Sequence, residues 1–154
     1  MCAEDDEATL RTYALTLAAA IEQAAPRWIE RCIGRYVMVD DSLAPAVARA
    51  SNDALADLMP KVRSVLLADV DEQRVNPMAL LRAAVRFPTA VLDDLQIRPA
   101  ERDEFARRNF PDDRYDLTPA SFADVDPALH EPGLVWGAAK AHVVLQRRRA
   151  EGRR

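Results

Sequence analysis

Apolar residues recur at spacings of three and four along most of this chain, which is the period of an amphipathic α-helix. The first stripe consists of Leu10, Tyr13, Leu17, Ile21 and Ala24, flanked by the small residues Ala14, Ala18 and Ala25. Pro26 follows this stripe, and proline lacks the amide proton that a helix interior needs. The pattern therefore predicts a first helix over residues 5–25 and a second over residues 26–38.

The same period continues beyond a polar break at residues 40–42. Residues 43–69 are predicted to form one long helix or two shorter ones, with Pro60 inside the span. Asn76 and Pro77 form a typical helix start, and that helix is expected to kink or break near residues 87–89. Another helix is predicted to start at Pro99 and to lie on the surface because it is highly charged.

The last predicted helix covers residues 134–150, and its packing seam is expected to be Leu134, Ala138, Ala141 and Leu145. No stretch shows the alternating pattern of a β-strand. The sequence thus predicts an all-α, single-domain bundle of about six or seven helices over residues 1–146. Residues 147–154 hold five arginines and one glutamate, a net charge of +4, and are predicted to be a basic, disordered tail.

Residues 109–133, between the last two predicted helices, are rich in proline and aspartate and do not fit an ordinary helix. Thr118-Pro119 and Asp126-Pro127 each resemble a helix cap followed by a first helical residue. An irregular connection in a helical protein is where binding groups tend to lie, because a loop presents polar groups that a packed helix must hide. This segment is therefore the first place to look for function.

Within the segment, three carboxylates stand close together around a cation and a phenol. The residues are Asp112, Asp113, Arg114, Tyr115 and Asp116. Carboxylate oxygens are the ligands that Mg²⁺ prefers, so a metal-assisted hydrolase acting on a phosphorylated or polar substrate is one hypothesis. The alternative is that the aspartates accept hydrogen bonds from nearby backbone amides and only shape the turn. No recognised order of metal ligands is present, and no cofactor is predicted.

Trp136 and Lys140 lie four residues apart on the last helix and share a face. If exposed, they would suit a protein partner; if Trp136 is in the core, its indole N–H should donate to a loop carbonyl. His130 and His142 have no serine, cysteine or carboxylate at a spacing that defines a nucleophile. Patterns of the types GxSxG, GxGxxG and HExxH do not occur. Cys32 lies on an apolar face and is expected to be a buried structural thiol.

The formal net charge of −4 gives the chain no general attraction for nucleic acid or an anionic membrane. A helix-turn-helix over residues 89–108 is a third hypothesis, with Arg102, Arg107 and Arg108 available for phosphates. Acidic residues at the start of its reading helix count against it. No apolar run approaches the roughly 18 residues of a membrane span, and two isolated cysteines suggest a reducing compartment.

We therefore expect a cytoplasmic helical protein whose role is binding to itself or to another helical protein. The surface expected for this contact is the alanine-flanked stripe of the first helix. Catalysis by the aspartate cluster and DNA binding are the two alternatives.

Overall fold

The computed structural model describes residues 3–71, 77–118 and 122–153. For residue 3 and residues 77–81 it describes only the backbone. These residues form six α-helices and one 3₁₀ turn and contain no β-strand, which confirms the all-α prediction. The helices are α1 Ala3–Ile33, α2 Ala44–Asp71, α3 Pro77–Asp94, α4 Glu104–Asn109, α5 Phe122–Val125 and α6 His130–Glu151, with the 3₁₀ turn Pro127–Leu129 between α5 and α6.

Helix α1 lies at the centre of the bundle and packs against α2, α3 and α6. Its partners along α2 show that the two helices are antiparallel, because Glu22 pairs with Arg63 at 2.7 Å while Arg11 pairs with Asp71. Helix α6 is antiparallel to α1 as well, since Arg147 near its end reaches Glu7 at 3.6 Å.

Pro26 does not end the first helix, so the predicted boundary between two helices is wrong. The residues beyond it continue the same apolar stripe, and Trp28, Ile29 and Ile33 are all buried. An interior proline costs about 3 kcal/mol, whereas each large apolar side chain gains about 1.5–3 kcal/mol when it is fully buried. Three such residues outweigh the proline, and the helix continues through it.

Prolines also lie inside α2 and α3 without ending either helix. Of the two alternatives left open for residues 43–69, the structure has the single long helix, and the break allowed for near residues 87–89 does not occur. Phe87 is completely buried there, so packing holds the helix together across Pro88. Asn76, the predicted cap of α3, lies outside the described residues.

The helix predicted to start at Pro99 starts at Glu104 instead. Helix α3 ends with Gln96 in the left-handed conformation, and the N–H of Ile97 donates back to the carbonyl of Leu92 at 3.0 Å. This ending turns the chain away from the helix axis. Asp103 then caps α4 by accepting from the N–H of Ala106 at 2.7 Å. With an α4 of only six residues, the predicted helix-turn-helix of two neighbouring helices is not formed.

The last helix begins at His130, four residues before the predicted start. Asp126 caps the 3₁₀ turn by accepting from Ala128 at 2.8 Å, as its sequence context predicted, and the turn leads directly into α6. At the other end, the predicted disordered tail is helical as far as Glu151.

The predicted packing seam of α6 is wrong, because Leu134 and Leu145 are 59% and 52% exposed. The buried face carries Trp136, Lys140 and Val143 instead. Burying the tryptophan ring removes more apolar area from water than burying either leucine, so this face turns towards α1.

The core is continuous and takes most of its large side chains from the first three helices and α6. The alanine-flanked stripe of α1 is part of it, with Leu10, Leu17 and Ile21 at most 3% exposed. Helices α2 and α3 therefore already cover the surface that the sequence suggested for association with a partner.

Candidate functional site

Asp113, one of the three clustered aspartates, is a structural cap. Its carboxylate is 1% exposed and accepts from the backbone N–H of Leu117 at 2.6 Å and of Thr118 at 2.5 Å, and from the Thr118 hydroxyl. The two backbone donors match the prediction that aspartates in this segment accept hydrogen bonds from local backbone amides. Asp113 shapes the turn that carries the rest of the cluster.

Tyr115 and Arg114 attach the same turn to the end of α3. The Tyr115 hydroxyl lies 2.6 Å from an Asp93 carboxylate oxygen and 2.9 Å from the Ile97 carbonyl, and its single proton can be donated to one of them at a time. Arg114 forms an ion pair with Asp93. Tyr115 is fully buried, with Tyr36 packed edge-on against its ring. Both residues predicted for binding thus serve to anchor the turn.

Arg102 closes the turn from the other side. Its guanidinium donates to the carbonyls of Phe110 at 2.8 Å and Ala106 at 2.6 Å, and also to that of Asp113. This arginine was a candidate for contacting DNA phosphates under the helix-turn-helix hypothesis. Because both terminal nitrogens of the guanidinium donate inside the protein, Arg102 has a structural role, and DNA binding stays a prediction.

The three clustered aspartates have different partners and do not form a common site. Asp112 pairs with Arg86 at 3.1 Å, Asp113 points inwards, and Asp116 is exposed in a left-handed conformation. Throughout the part of the chain that the structure describes, no group of three or more histidine, cysteine, aspartate or glutamate residues could hold a metal ion. The hydrolase hypothesis stays a prediction, for which thermal unfolding with and without Mg²⁺ is the test.

Trp136 and Lys140 are both buried, at 2% and 0% exposure, which confirms the core location for the tryptophan and excludes an exposed binding pair. Lys140 Nζ lies 2.7 Å from Asp69 Oδ1 and 5.5 Å from the Trp136 ring centroid. The predicted bond from the indole N–H to a loop carbonyl is not found, since Trp136 Nε1 has no hydrogen-bond partner within residues 3–71, 77–118 and 122–153. A cation–π contact and an ion pair hold this cluster together.

The remaining nucleophile and base candidates are Cys32, His130 and His142. Burial raises the pKa of the Cys32 thiol to about 11, so it stays protonated at neutral pH. His130 and His142 are both exposed on α6. Cys32 is therefore the buried structural thiol that the sequence predicted.

The outward face of α6 is the surface that sequence reasoning missed. From residue 132 to residue 146 the only formally charged residue is Lys140, and it is buried. Leu134, Val135 and Leu145 are 59%, 41% and 52% exposed on this stretch. The sequence did show the apolar stripe Leu134, Ala138, Ala141 and Leu145, but the prediction placed this stripe in the core.

A cavity of about 220 Å³ between α2 and α3 is the second feature that sequence reasoning missed. Its apolar wall is Leu58, Val62, Val65 and Ala83, and its polar groups are Lys61, Arg82, Arg86 and Asp112. Arg82 and Arg86 are the only charged residues between Pro77 and Leu92, one helical turn apart. Two arginines in an otherwise uncharged stretch of helix α3 were the feature of the sequence that could have indicated this site. Asp112 is the one predicted site residue that reaches the cavity.

Comparison of the chain with protein-family models, with curated proteins and with solved structures found no match. Among the described residues, no helix is both long and apolar enough to cross a membrane.

Proposed function

We propose that this protein is a self-association module whose contact surface is the outward face of α6. The observation that carries the proposal is the absence of any exposed charged residue between Glu131 and Arg147 on this helix, in the range that the structure describes throughout. The solvent-facing side of a surface helix normally carries charged and polar residues. An uncharged, leucine-bearing face of three turns is typical of a helix that packs against a partner.

A second copy of the chain fits this face because the face is complementary to itself. When two α6 helices are placed antiparallel about a two-fold axis between residues 139 and 140, Leu134 lies opposite the partner's Leu145. Ala138 lies opposite the partner's Ala141 in the same arrangement. Glu131 then lies opposite the partner's Arg148, so that charges of opposite sign meet at both ends. Self-complementarity of this kind is what a two-fold interface requires.

The centre of the face is small enough for two helices to approach closely. Ala138 and Ala141 lie between the two leucines, and Gly137 beside them has open space where a side chain would be. Small residues at a crossing point shorten the distance between helix axes and increase the contact area of the flanking leucines.

The expected association is weak. Full burial of a leucine gains about 1.5–3 kcal/mol, and these leucines are already half-buried, so the four of a dimer supply roughly 3–6 kcal/mol. The two exposed ion pairs add less than about 1 kcal/mol each. Loss of translational and rotational freedom opposes these gains by at least about 4 kcal/mol. At the favourable end of these figures about 4 kcal/mol remains, which corresponds to a dissociation constant of about 1 mM.

Sedimentation equilibrium from about 10 µM to about 1 mM protein tests the proposal. We expect a monomer–dimer equilibrium that Leu145→Glu abolishes, because each dimer would have to bury two carboxylates where two leucines were in contact. Phe105→Glu is the matched control: Phe105 is 75% exposed on α4 and is not part of the α6 face, so its replacement should leave association unchanged.

Charge reversal tests the two-fold arrangement itself. Arg148→Glu places like charges opposite each other at both ends and should weaken association, whereas the double variant Glu131→Arg, Arg148→Glu should restore it. A protein that remains monomeric at the highest concentration contradicts the proposal and leaves this face to a different helical protein. Failure of the double variant to recover contradicts the antiparallel pairing.

The proposal retains the cytoplasm as the compartment, since Cys32 is a free thiol in the core.

A further inference from the structure

The cavity between α2 and α3 combines an apolar wall with a cationic rim. Leu58 and Val62 of α2 are 7% and 1% exposed, and with the half-buried Val65 they line one side. Arg82 and Arg86 project from one face of α3 on the other side. Such a combination complements a molecule with a hydrocarbon body and an anionic end.

The two arginines differ in how their charges are balanced. Arg86 pairs with Asp112 at 3.1 Å, whereas Arg82 makes only a long contact of 3.4 Å to the Asn109 carbonyl among the described residues. Lys61 at the rim is paired with Asp57 at 2.8 Å. The described groups around the cavity therefore carry about one unbalanced positive charge, and it belongs to Arg82.

We propose that this cavity binds a small organic monocarboxylate with an apolar body, held by Arg82 and Arg86. A guanidinium group donates two parallel N–H hydrogen bonds to a carboxylate, a geometry that suits a planar anion at this rim. The volume of about 220 Å³ exceeds the roughly 150 Å³ cavity in which benzene binds, so one ring or a short chain fits. The site is independent of the α6 face.

A single unbalanced charge favours a monoanion over phosphate, which carries a charge of about −1.5 to −2 at neutral pH. A dianion would also lie beside the Asp112 carboxylate and be repelled by it. The apolar wall contributes only to a ligand with a hydrocarbon body. Benzoate is therefore the appropriate probe, with benzyl alcohol and inorganic phosphate as the two partial mimics.

Titration of ¹⁵N-labelled protein with benzoate, followed by amide chemical shifts, tests the proposal. We expect saturable shifts confined to residues 58–65 and 82–86, with a dissociation constant of about 1 mM, as befits a small ligand in an open site. Benzyl alcohol and phosphate should each bind about tenfold more weakly, because each lacks one of the two complementary features. Shifts spread over the whole surface, or no saturation below about 20 mM, would overturn the proposal.

Substitutions identify the groups responsible. Arg82→Gln and Arg86→Gln should each weaken benzoate binding about tenfold, the loss expected for one charge-assisted hydrogen bond. Asp112→Asn should strengthen it, since it frees Arg86 and removes a negative charge from the site. Arg63→Gln is the control, because Arg63 pairs with Glu22 on α1 and does not line the cavity. Equal binding by wild type and both cavity-arginine variants, or an equal loss in Arg63→Gln, would refute the assignment.

Discussion

Replacing Lys140 with methionine tests whether the buried ion pair stabilises the bundle. Methionine has a similar length and retains contact with the Trp136 ring but removes the charge. Lys140 Nζ and Asp69 Oδ1 are 2.7 Å apart, and their side chains are 1% and 7% exposed. Because water is excluded from both groups, the charge of the Asp69 carboxylate is compensated inside the protein by Lys140.

The structure allows the size of the effect to be estimated. At 2.7 Å and an effective dielectric constant of about 20, the Coulomb attraction is ~6 kcal/mol. Removing the two charges from water costs several kcal/mol per ion, so the intact pair makes only a small net contribution to stability. Loss of Lys140 alone leaves the Asp69 carboxylate buried without its partner. We therefore expect the free energy of unfolding to fall by about 3–5 kcal/mol.

A matched surface pair provides the control. Lys61 and Asp57 are 2.8 Å apart, almost the same distance, but both side chains are more than half exposed. Lys61→Met should cost less than about 0.5 kcal/mol. Urea unfolding followed by circular dichroism at equal m-values measures both effects.

A double variant separates loss of the pair from loss of one partner. Lys140→Met with Asp69→Leu should recover most of the stability, because no unpaired charge remains in the core. Two results would contradict this reasoning. The first is a loss of unfolding free energy in Lys140→Met no larger than that in Lys61→Met, and the second is a double variant less stable than Lys140→Met. Either would show that burial does not make the Lys140–Asp69 pair more important for stability than a surface pair.

Two further predictions concern the turn before α5 and the buried thiol. Asp113→Ala should lower the free energy of unfolding by about 3 kcal/mol, because it leaves buried donors unsatisfied. Asp112→Ala, the matched control on the surface, should lower it by less than about 1 kcal/mol. Similar losses for the two variants in urea unfolding would contradict this prediction. With Cys2→Ser as background, Cys32 should react with iodoacetamide at pH 8 at least about 100-fold more slowly in folded than in unfolded protein, since its pKa is raised from 9.0 to about 11 and the reactive thiolate is correspondingly scarcer. The rate should increase with pH up to about the folded pKa, and a rate equal to that of the unfolded chain would show that the thiol is accessible.

Secondary structure was predictable from the sequence wherever local chemistry decided it. The 3.6-residue period of apolar residues predicted an all-α bundle, and Asp126 followed by Pro127 predicted the capped turn before α6. These features depend on residues within a few positions of each other. The predicted boundary at Pro26 was wrong because the local cost of an interior proline is outweighed by burial of Trp28 and Ile29 against other helices. That burial depends on the tertiary structure and cannot be read from neighbouring residues.

The candidate site was also predictable only where near neighbours in the sequence determine it. Sequence spacing brought Asp112, Asp113 and Asp116 together as one cluster, but each side chain has a different direction and partner. Only the fold brings Arg82 and Arg86 to the rim of a cavity with Leu58 and Val62, which lie more than 15 residues away in the chain.

The sequence alone determined that the chain forms helices with apolar faces, because helical period and capping are encoded by near neighbours. The tertiary structure decided which face of each helix is buried. Helix α6 has two apolar faces, and the one with Trp136 packs inwards, which leaves Leu134 and Leu145 in solvent. The close approach of Phe122 to Gly133, which leaves no space for a side chain at residue 133, also depends on how α5 packs on α6. Helix packing selects among faces that are locally equivalent, so the outward face of α6 became visible only in the folded protein.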